Sequence, residues 1–196
     1  KHIITTAIEH SSVYETCKEL EKTFGFEVTY LKVDQKGRIS LQELQDSIRD
    51  DTILVSIMYV NNEIGVINPI EEIKQIVKKY DKIKLHFDMV QALGKLPIDL
   101  TDVDLASFSA HKIYGLKGSG LLFKRRSTTI VPLINGGQQE FGMRGGTSNA
   151  CSNIVFAKTL RLALENFDNK AKHIKMINSY ARKCLNQIEG VIINSD

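Results

Sequence analysis

Cysteine is scarce in this chain, and its placement excludes two common architectures. Cys17, Cys151 and Cys184 lie far apart. They form no C-x-x-C pair, and no Cys/His cluster has zinc spacing, so neither a metal centre nor a disulfide framework is indicated. A reducing compartment, the cytoplasm, is the default expectation for such a chain. Long apolar runs are also missing. No stretch approaches the ~20 residues of a membrane span, and no signal peptide is visible. Charge of one sign is missing too: the net charge is +3, with Lys and Arg interspersed among Asp and Glu. That is too mild and too scattered to indicate nucleic acid. There is no repeat or low-complexity tract. Gly115–Gly120 lacks the G-x-x-x-x-G-K-[ST] order of a phosphate P-loop and reads as the turn into a strand.

What is present is an ordinary globular composition, 42% hydrophobic and 25% charged over 196 residues. That length suffices for one α/β domain with a sizeable core. The chain starts at Lys1, in a strand-like run, and ends at Asp196 just after another, Val191–Ile193. Both ends predict a piece of something longer.

Strand-like and helix-like segments alternate. His2–Thr5 reads as a strand. Ser12-x-x-Glu15 is a capping box that predicts a helix to about Phe24. Phe26–Val33 follows as a strand. Ser40-x-x-Glu43 opens a second helix with Leu41, Leu44 and Ile48 on one face. Thr52–Val60 is nearly all apolar, the mark of a strand covered on both faces. Pro69 starts a helix with Ile70, Ile73 and Ile76 on one side. Lys84–Phe87, Leu105–Ser109 and Gly120–Lys124 read as strands, and helices are expected at about 153–166 and 168–189. This rhythm predicts a mainly parallel sheet with helices on both faces. Ligands of such sheets bind outside the carboxyl ends of the strands. The loops there are Glu9–Ser12, Asn61–Gly65, Asp88–Gln91 and Ala110–Gly118.

Two of these loops offer complementary chemistry. Asp88 follows one apolar strand and Lys112 follows the next, 24 positions later. An enzyme that uses pyridoxal 5'-phosphate (PLP) needs that pair: an amine to condense with the cofactor aldehyde, and an acid to keep the pyridine nitrogen protonated. A lysine is most often a surface residue, but Lys112 follows a buried-looking strand and precedes Gly115, Gly118 and Gly120. Asp88 also suits the N-cap of a helix over Met89–Leu93, and one residue can do both. Asn61, at the end of the most apolar strand, fits a turn as well as a ligand contact. His10 is a loop histidine whose imidazole suits proton transfer near neutral pH. His86, inside a strand, fits a satisfied core histidine.

The segments HFDMVQALGKLPIDL and SFSAHKIYGLKGSGLLF resemble the class V aminotransferases, and within them the cysteine desulfurases. TTAIEHSSV, ILVSIMYVNNEIG and GMRGGTSNA match in the same order, so the resemblance covers nearly the whole chain. It implies the large-domain part of the aspartate-aminotransferase-like architecture, PLP fold type I. Residues 1–165 would form the PLP-binding core, incomplete at its N-terminus. Residues 166–196 would lead, as a helix and a strand, into a small C-terminal domain.

The resemblance also assigns roles. Lys112 would hold PLP, Asp88 would pair with the pyridine nitrogen, and Gln91 would donate to the phenolic oxygen. Asn61 would add a further cofactor contact, and His10 would stack on the ring and carry protons. Ser109 and His111 would bind the phosphate. Thr147 would reach the phosphate of a neighbouring subunit, which implies a homodimer; the alternative is a glycine-rich surface turn. The implied reaction converts L-cysteine to L-alanine. Its sulfur would pass through an enzyme persulfide to an acceptor or iron–sulfur scaffold protein, or to thiolated tRNA.

This chain departs from the family at Met89, Ala110, Leu116 and Phe141, where a small residue, glycine, proline and arginine are usual. None of these removes a catalytic group. Family members also have an upstream Gly/Thr phosphate loop, a mobile catalytic cysteine and a carboxylate-binding arginine, and these 196 residues match none of the three. Cys17 and Cys184 sit in helical patterns as inert thiols, and Cys151 opens a helix without matching the nucleophile position. Two other readings are another class V lyase or aminotransferase, and an inactive domain that serves dimerisation or partner binding.

Overall fold

The computed structural model describes residues 1–194. Six strands form one sheet: β1 (His2–Thr6), β2 (Glu27–Leu31), β3 (Thr52–Met58), β4 (Lys84–Asp88), β5 (Leu105–Ser109) and β6 (Gly120–Lys124). Their order is β2-β1-β3-β4-β5-β6. All neighbours are parallel except β5 and β6, which pair antiparallel through a short return. The helices are α1 (Ser11–Phe24), α2 (Leu41–Asp46), α3 (Ile70–Val77), α4 (Ala150–Glu165) and α5 (Phe167–Leu185). β1 is buried along its whole length. Because successive side chains point to opposite faces, that requires cover on both. The α/β class and the parallel sheet are as expected from the sequence.

The core runs through the middle of the sheet, with Ile4, Val55, Ile57, Leu85 and Phe87 at its centre. Ile70, Ile73, Ile76 and Val77 of α3 close one side. The Ser40 cap forms, with its hydroxyl accepting from Glu43 N at 3.2 Å. The Glu43 carboxylate does not complete a capping box. It turns instead to Lys32 N at 3.3 Å.

Three expectations need correction. Ser12 is not the cap of α1. The helix starts at Ser11, and the cap is His10, whose ring Nδ1 accepts from Ser12 N at 3.2 Å. An imidazole nitrogen thus takes the place of the usual Ser, Thr, Asp or Asn oxygen. β2 and β3 are shorter than their apolar runs, because Val33 and Val60 leave the ladder to form isolated bridges with Ile39 and Ile67. No strand forms at Val191–Ile193. The chain leaves α5 through Gly190 in the left-handed region (φ 78°), and among the described residues no strand lies alongside to complete a ladder.

Two histidines tie the sheet crosswise. His2 of β1 bonds Thr52 Oγ1 and Thr29 Oγ1, each at 2.8 Å. His86 of β4 bonds Ser56 Oγ of β3 at 2.7 Å and Ser107 Oγ of β5 at 2.9 Å. His86 is therefore a satisfied interior residue, and burial pushes its pKa down to about 4. A histidine with a depressed folded-state pKa stabilises fully above its unfolded value of 6.5 and progressively less as pH falls toward 4. The loss is at most about 3 kcal/mol. Replacing His86 by alanine is expected to cost about 2–4 kcal/mol at neutral pH, through a cavity and two hydroxyls left without partners. Urea unfolding at neutral pH and again near pH 4.5 checks this. The gap between variant and wild type should narrow in acid, and a constant gap contradicts the account.

Candidate functional site

The carboxyl ends of β1, β3, β4 and β5 lie side by side, so the loops that follow them converge. Met58 pairs with Asp88, and Asp88 with Ser107. Tyr59 N donates to the Asp88 carbonyl at 2.8 Å, and Met89 N to that of Ser107 at 3.0 Å. These bonds hold Asp88 at the last rung of β4, with only 8% of its surface exposed. No helix follows. Residues 90–95 form turns, and Asp88 Oδ1 caps the first of them by accepting from Val90 N at 2.9 Å. Its other oxygen carries no hydrogen bond among the described residues. Burial raises the Asp88 pKa, while the Val90 N–H and the nearby His10 oppose that rise.

Lys112 lies on a 3₁₀ turn, Ala110–Ile113, that directly follows β5. Its side chain is exposed and forms no ion pair among the described residues. The turn closes on Tyr114, which adopts a left-handed conformation (φ 72°) rare for a bulky residue. Gly115 N then donates to the Ala110 carbonyl at 2.9 Å. A Cβ at Gly115 would lie 2.9 Å from both the Ala110 oxygen and its Cβ. Gly115→Ala is therefore expected to displace the lysine turn at a cost of about 1–3 kcal/mol. The check is covalent cofactor capture by Lys112 in the folded variant, which should fall. Unchanged capture contradicts the tight fit.

Gln91 accepts from Lys95 Nζ at 2.9 Å through Oε1, which leaves its amide N–H groups free to donate. Lys95 is a member of the site that the motif reading passed over. Burial lowers its pKa first, and the charge of Lys112 lowers it further, so the two amines are close. Ser109 stands at the N-terminus of the 3₁₀ turn with its hydroxyl unused as a cap. His111 is exposed beside Lys112.

His10 stands at the end of the β1 loop. Because its Nδ1 accepts from Ser12 N and sits 2.8 Å from Ser12 Oγ, the proton of the neutral ring belongs on Nε2. Asn61 is buried and serves the turn reading: Oδ1 accepts from Glu63 N and Ile64 N, both at 2.9 Å. Its Nδ2 reaches across to the Ile8 carbonyl at 2.8 Å, tying the His10 loop to β3. Glu9, Tyr14 and Glu63 join His10 and Asn61 around a cleft of about 480 Å³. Thr147 lies apart, exposed in the loop before α4. No hydrogen bond joins it to Asp88, Lys112 or His10 among the described residues. A larger cavity of about 630 Å³, lined by Leu93, Phe108, Leu122, Phe156 and Phe167, has Lys124 as its one charged group and lies away from this chemistry.

The arrangement fits PLP. A free amine and a buried carboxylate with one open acceptor oxygen hang from adjacent strands, with hydroxyl, amide and imidazole donors around them.

The chain is similar to known proteins. A cysteine desulfurase IscS from Dictyoglomus turgidum is 45% identical over 99% of this chain and 50% of its own length. A solved NifS-like protein superposes on the whole chain and 54% of its own, with a TM-score of 0.95 and 43% identity. A structure of SspA in complex with cysteine covers 91% of this chain and 52% of its own, with a TM-score of 0.77 and 42% identity. The chain thus spans about half the length of the relatives it matches. The family model for class-V aminotransferases matches residues 1–196, and the chain belongs to this family of PLP enzymes.

Proposed function

We propose that the protein containing this chain is a cysteine desulfurase. It converts L-cysteine to L-alanine and leaves the sulfur as a persulfide on one of its own cysteines. The likeness to relatives named cysteine desulfurases supports the reaction, and the exposed Lys112 amine one strand away from the buried Asp88 carboxyl supports the cofactor. When bound, PLP supplies a carbonyl that takes up amines and a ring that accepts an electron pair. Lys112 would hold it, and its Nζ would carry the proton taken from the substrate. Asp88 orients the ring and keeps its nitrogen charged. Gln91, Ser109 and His111 would hold the remaining polar edges, Asn61 acts through the His10 loop that it ties down, and His10 would exchange protons at Nε2.

The sulfur nucleophile is not among Cys17, Cys151 and Cys184. Burial raises the Cys17 thiol to about 11, which removes it as a thiolate. Cys151 and Cys184 lie on α4 and α5, outside the loops that carry the site. Residues 1–165 act as the cofactor-binding core, and 166–196 lead toward a smaller domain. Thr147 completes the site of a second copy in a homodimer. The exposed Val131, Leu133 and Phe141 of the same segment support an interface there. The persulfide passes to a sulfur-acceptor or iron–sulfur scaffold protein in the cytoplasm. No described helix is long and apolar enough to cross a membrane.

Incubating the full-length protein with PLP and L-cysteine tests the reading. Alanine and persulfide should form in equal amounts, above the background of free PLP. Turnover of another amino acid with none of L-cysteine overturns it.

A further inference from the structure

Glu9 is a buried acid that the proposed reaction does not use. It precedes His10, and its Oε1 accepts from Thr6 Oγ1 at 2.7 Å and from Met58 N at 2.9 Å. Met58 ends β3 and is the cross-strand partner of Asp88. The Glu9 carboxyl is therefore held from the loop after β1 onto the end of β3, next to the rung that carries Asp88. The second Glu9 oxygen is buried with no hydrogen-bond partner, an unfavourable place for an ionised group. We propose that Glu9 is a positioning residue of the cofactor site: it locks the His10 loop onto the end of β3, and its charge acts on the Asp88 end of the bound ring.

This inference rests on the cofactor reading above and adds a role for a residue outside it. Asn61 ties Ile8 and Glu9 ties Met58, and of these two ties the second comes from a titratable group. Burial raises the Glu9 pKa to about 7, the charge of Asp88 adds to the rise, and the Met58 and Thr6 donors oppose it. Cys17 faces Glu9 from α1, and its thiol is raised partly by this carboxyl. Burial raises the Asp88 pKa as well, opposed first by the Val90 N–H and then by His10. Around pH 7 Glu9 gains a negative charge close to Asp88, and a charge there would strengthen proton binding by the cofactor.

The test uses the full-length protein loaded with PLP, and reads the pH titration of the visible cofactor band rather than activity. Glu9→Gln keeps an acceptor for Met58 N and loses the charge. It should retain cofactor affinity within about threefold, while the band titrates about 0.5–1 pH unit lower than in wild type. Glu9→Ala loses the tie as well, and its affinity should fall about tenfold. Superimposable titrations of wild type and Glu9→Gln overturn the proposal. Carboxyl-carbon NMR of the wild-type apoprotein gives a second reading that does not depend on the variants folding. The Glu9 signal should move with a midpoint near 7, and a midpoint near the ordinary 4.5 overturns the proposal. A wild type that takes up no PLP overturns the cofactor reading itself, whereas uptake with unaltered titration overturns only the role of Glu9.

Discussion

Lys112→Ala in the full-length protein is expected to abolish covalent PLP attachment and to lower turnover on the order of 10⁴-fold. The lysine stands alone in its role. Its amine is exposed on the turn after β5, while Lys95, the amine near it, is held by Gln91. Two contributions vanish together in the variant: the covalent hold on the cofactor, and the proton carrier that the substrate sets free. The backbone should survive, because Ala110 and Ile113, not Lys112, anchor the turn in the core. Absorbance after gel filtration with PLP reads the first loss, and alanine release reads the second. A variant that keeps the visible band through Lys95 contradicts the assignment.

Asp88→Asn should separate binding from chemistry. The amide oxygen can still accept from Val90 N, so the turn after β4 holds and cofactor affinity should fall only a few-fold. What is lost is the negative charge opposite the ring nitrogen. A charge-assisted contact of about 3 kcal/mol corresponds to about 10²-fold in rate when it is made only as the electron pair enters the ring. Exchange of the substrate α-proton with deuterated solvent, followed by NMR at saturating PLP, measures this step directly. Near-normal exchange would mean that Asp88 is a turn cap and nothing more. The sign of the pH effect also follows. Burial raises the Asp88 pKa, so acid should protonate it before the more exposed carboxylates of the chain, and α-proton exchange by the variant should fall less in acid than that of the wild type.

Most of the fold was legible because the buried strands are short apolar runs and α2 and α3 carry their apolar faces at helical spacing. β4 and β5 fall where their runs fall and β3 lies within its run, and Asn61, Asp88 and Ser109 stand at or just past the ends of those runs. The misreadings have a common cause. Val191–Ile193 has the composition of a strand, but strands need partners, and composition does not say whether one is present. Ser12-x-x-Glu15 has the pattern of a capping box, but His10 takes the Ser12 amide first. His86 reads either way until Ser56 and Ser107 are seen on its two sides. Glu9 was the hardest to read. Its burial depends on Met58, 49 positions away, and a glutamate in a polar loop gives no local sign of that. Lys95 was hidden for the same reason, since its place beside Lys112 depends on two separate turns meeting.

The most direct test of the account is to identify the lysine that holds the cofactor. The full-length protein is loaded with PLP, reduced with borohydride, digested and mapped by mass spectrometry. The account predicts the pyridoxyl mass on the peptide carrying Lys112, with Lys95 unmodified. Label on Lys95 or any other lysine, with Lys112 unmodified, contradicts it.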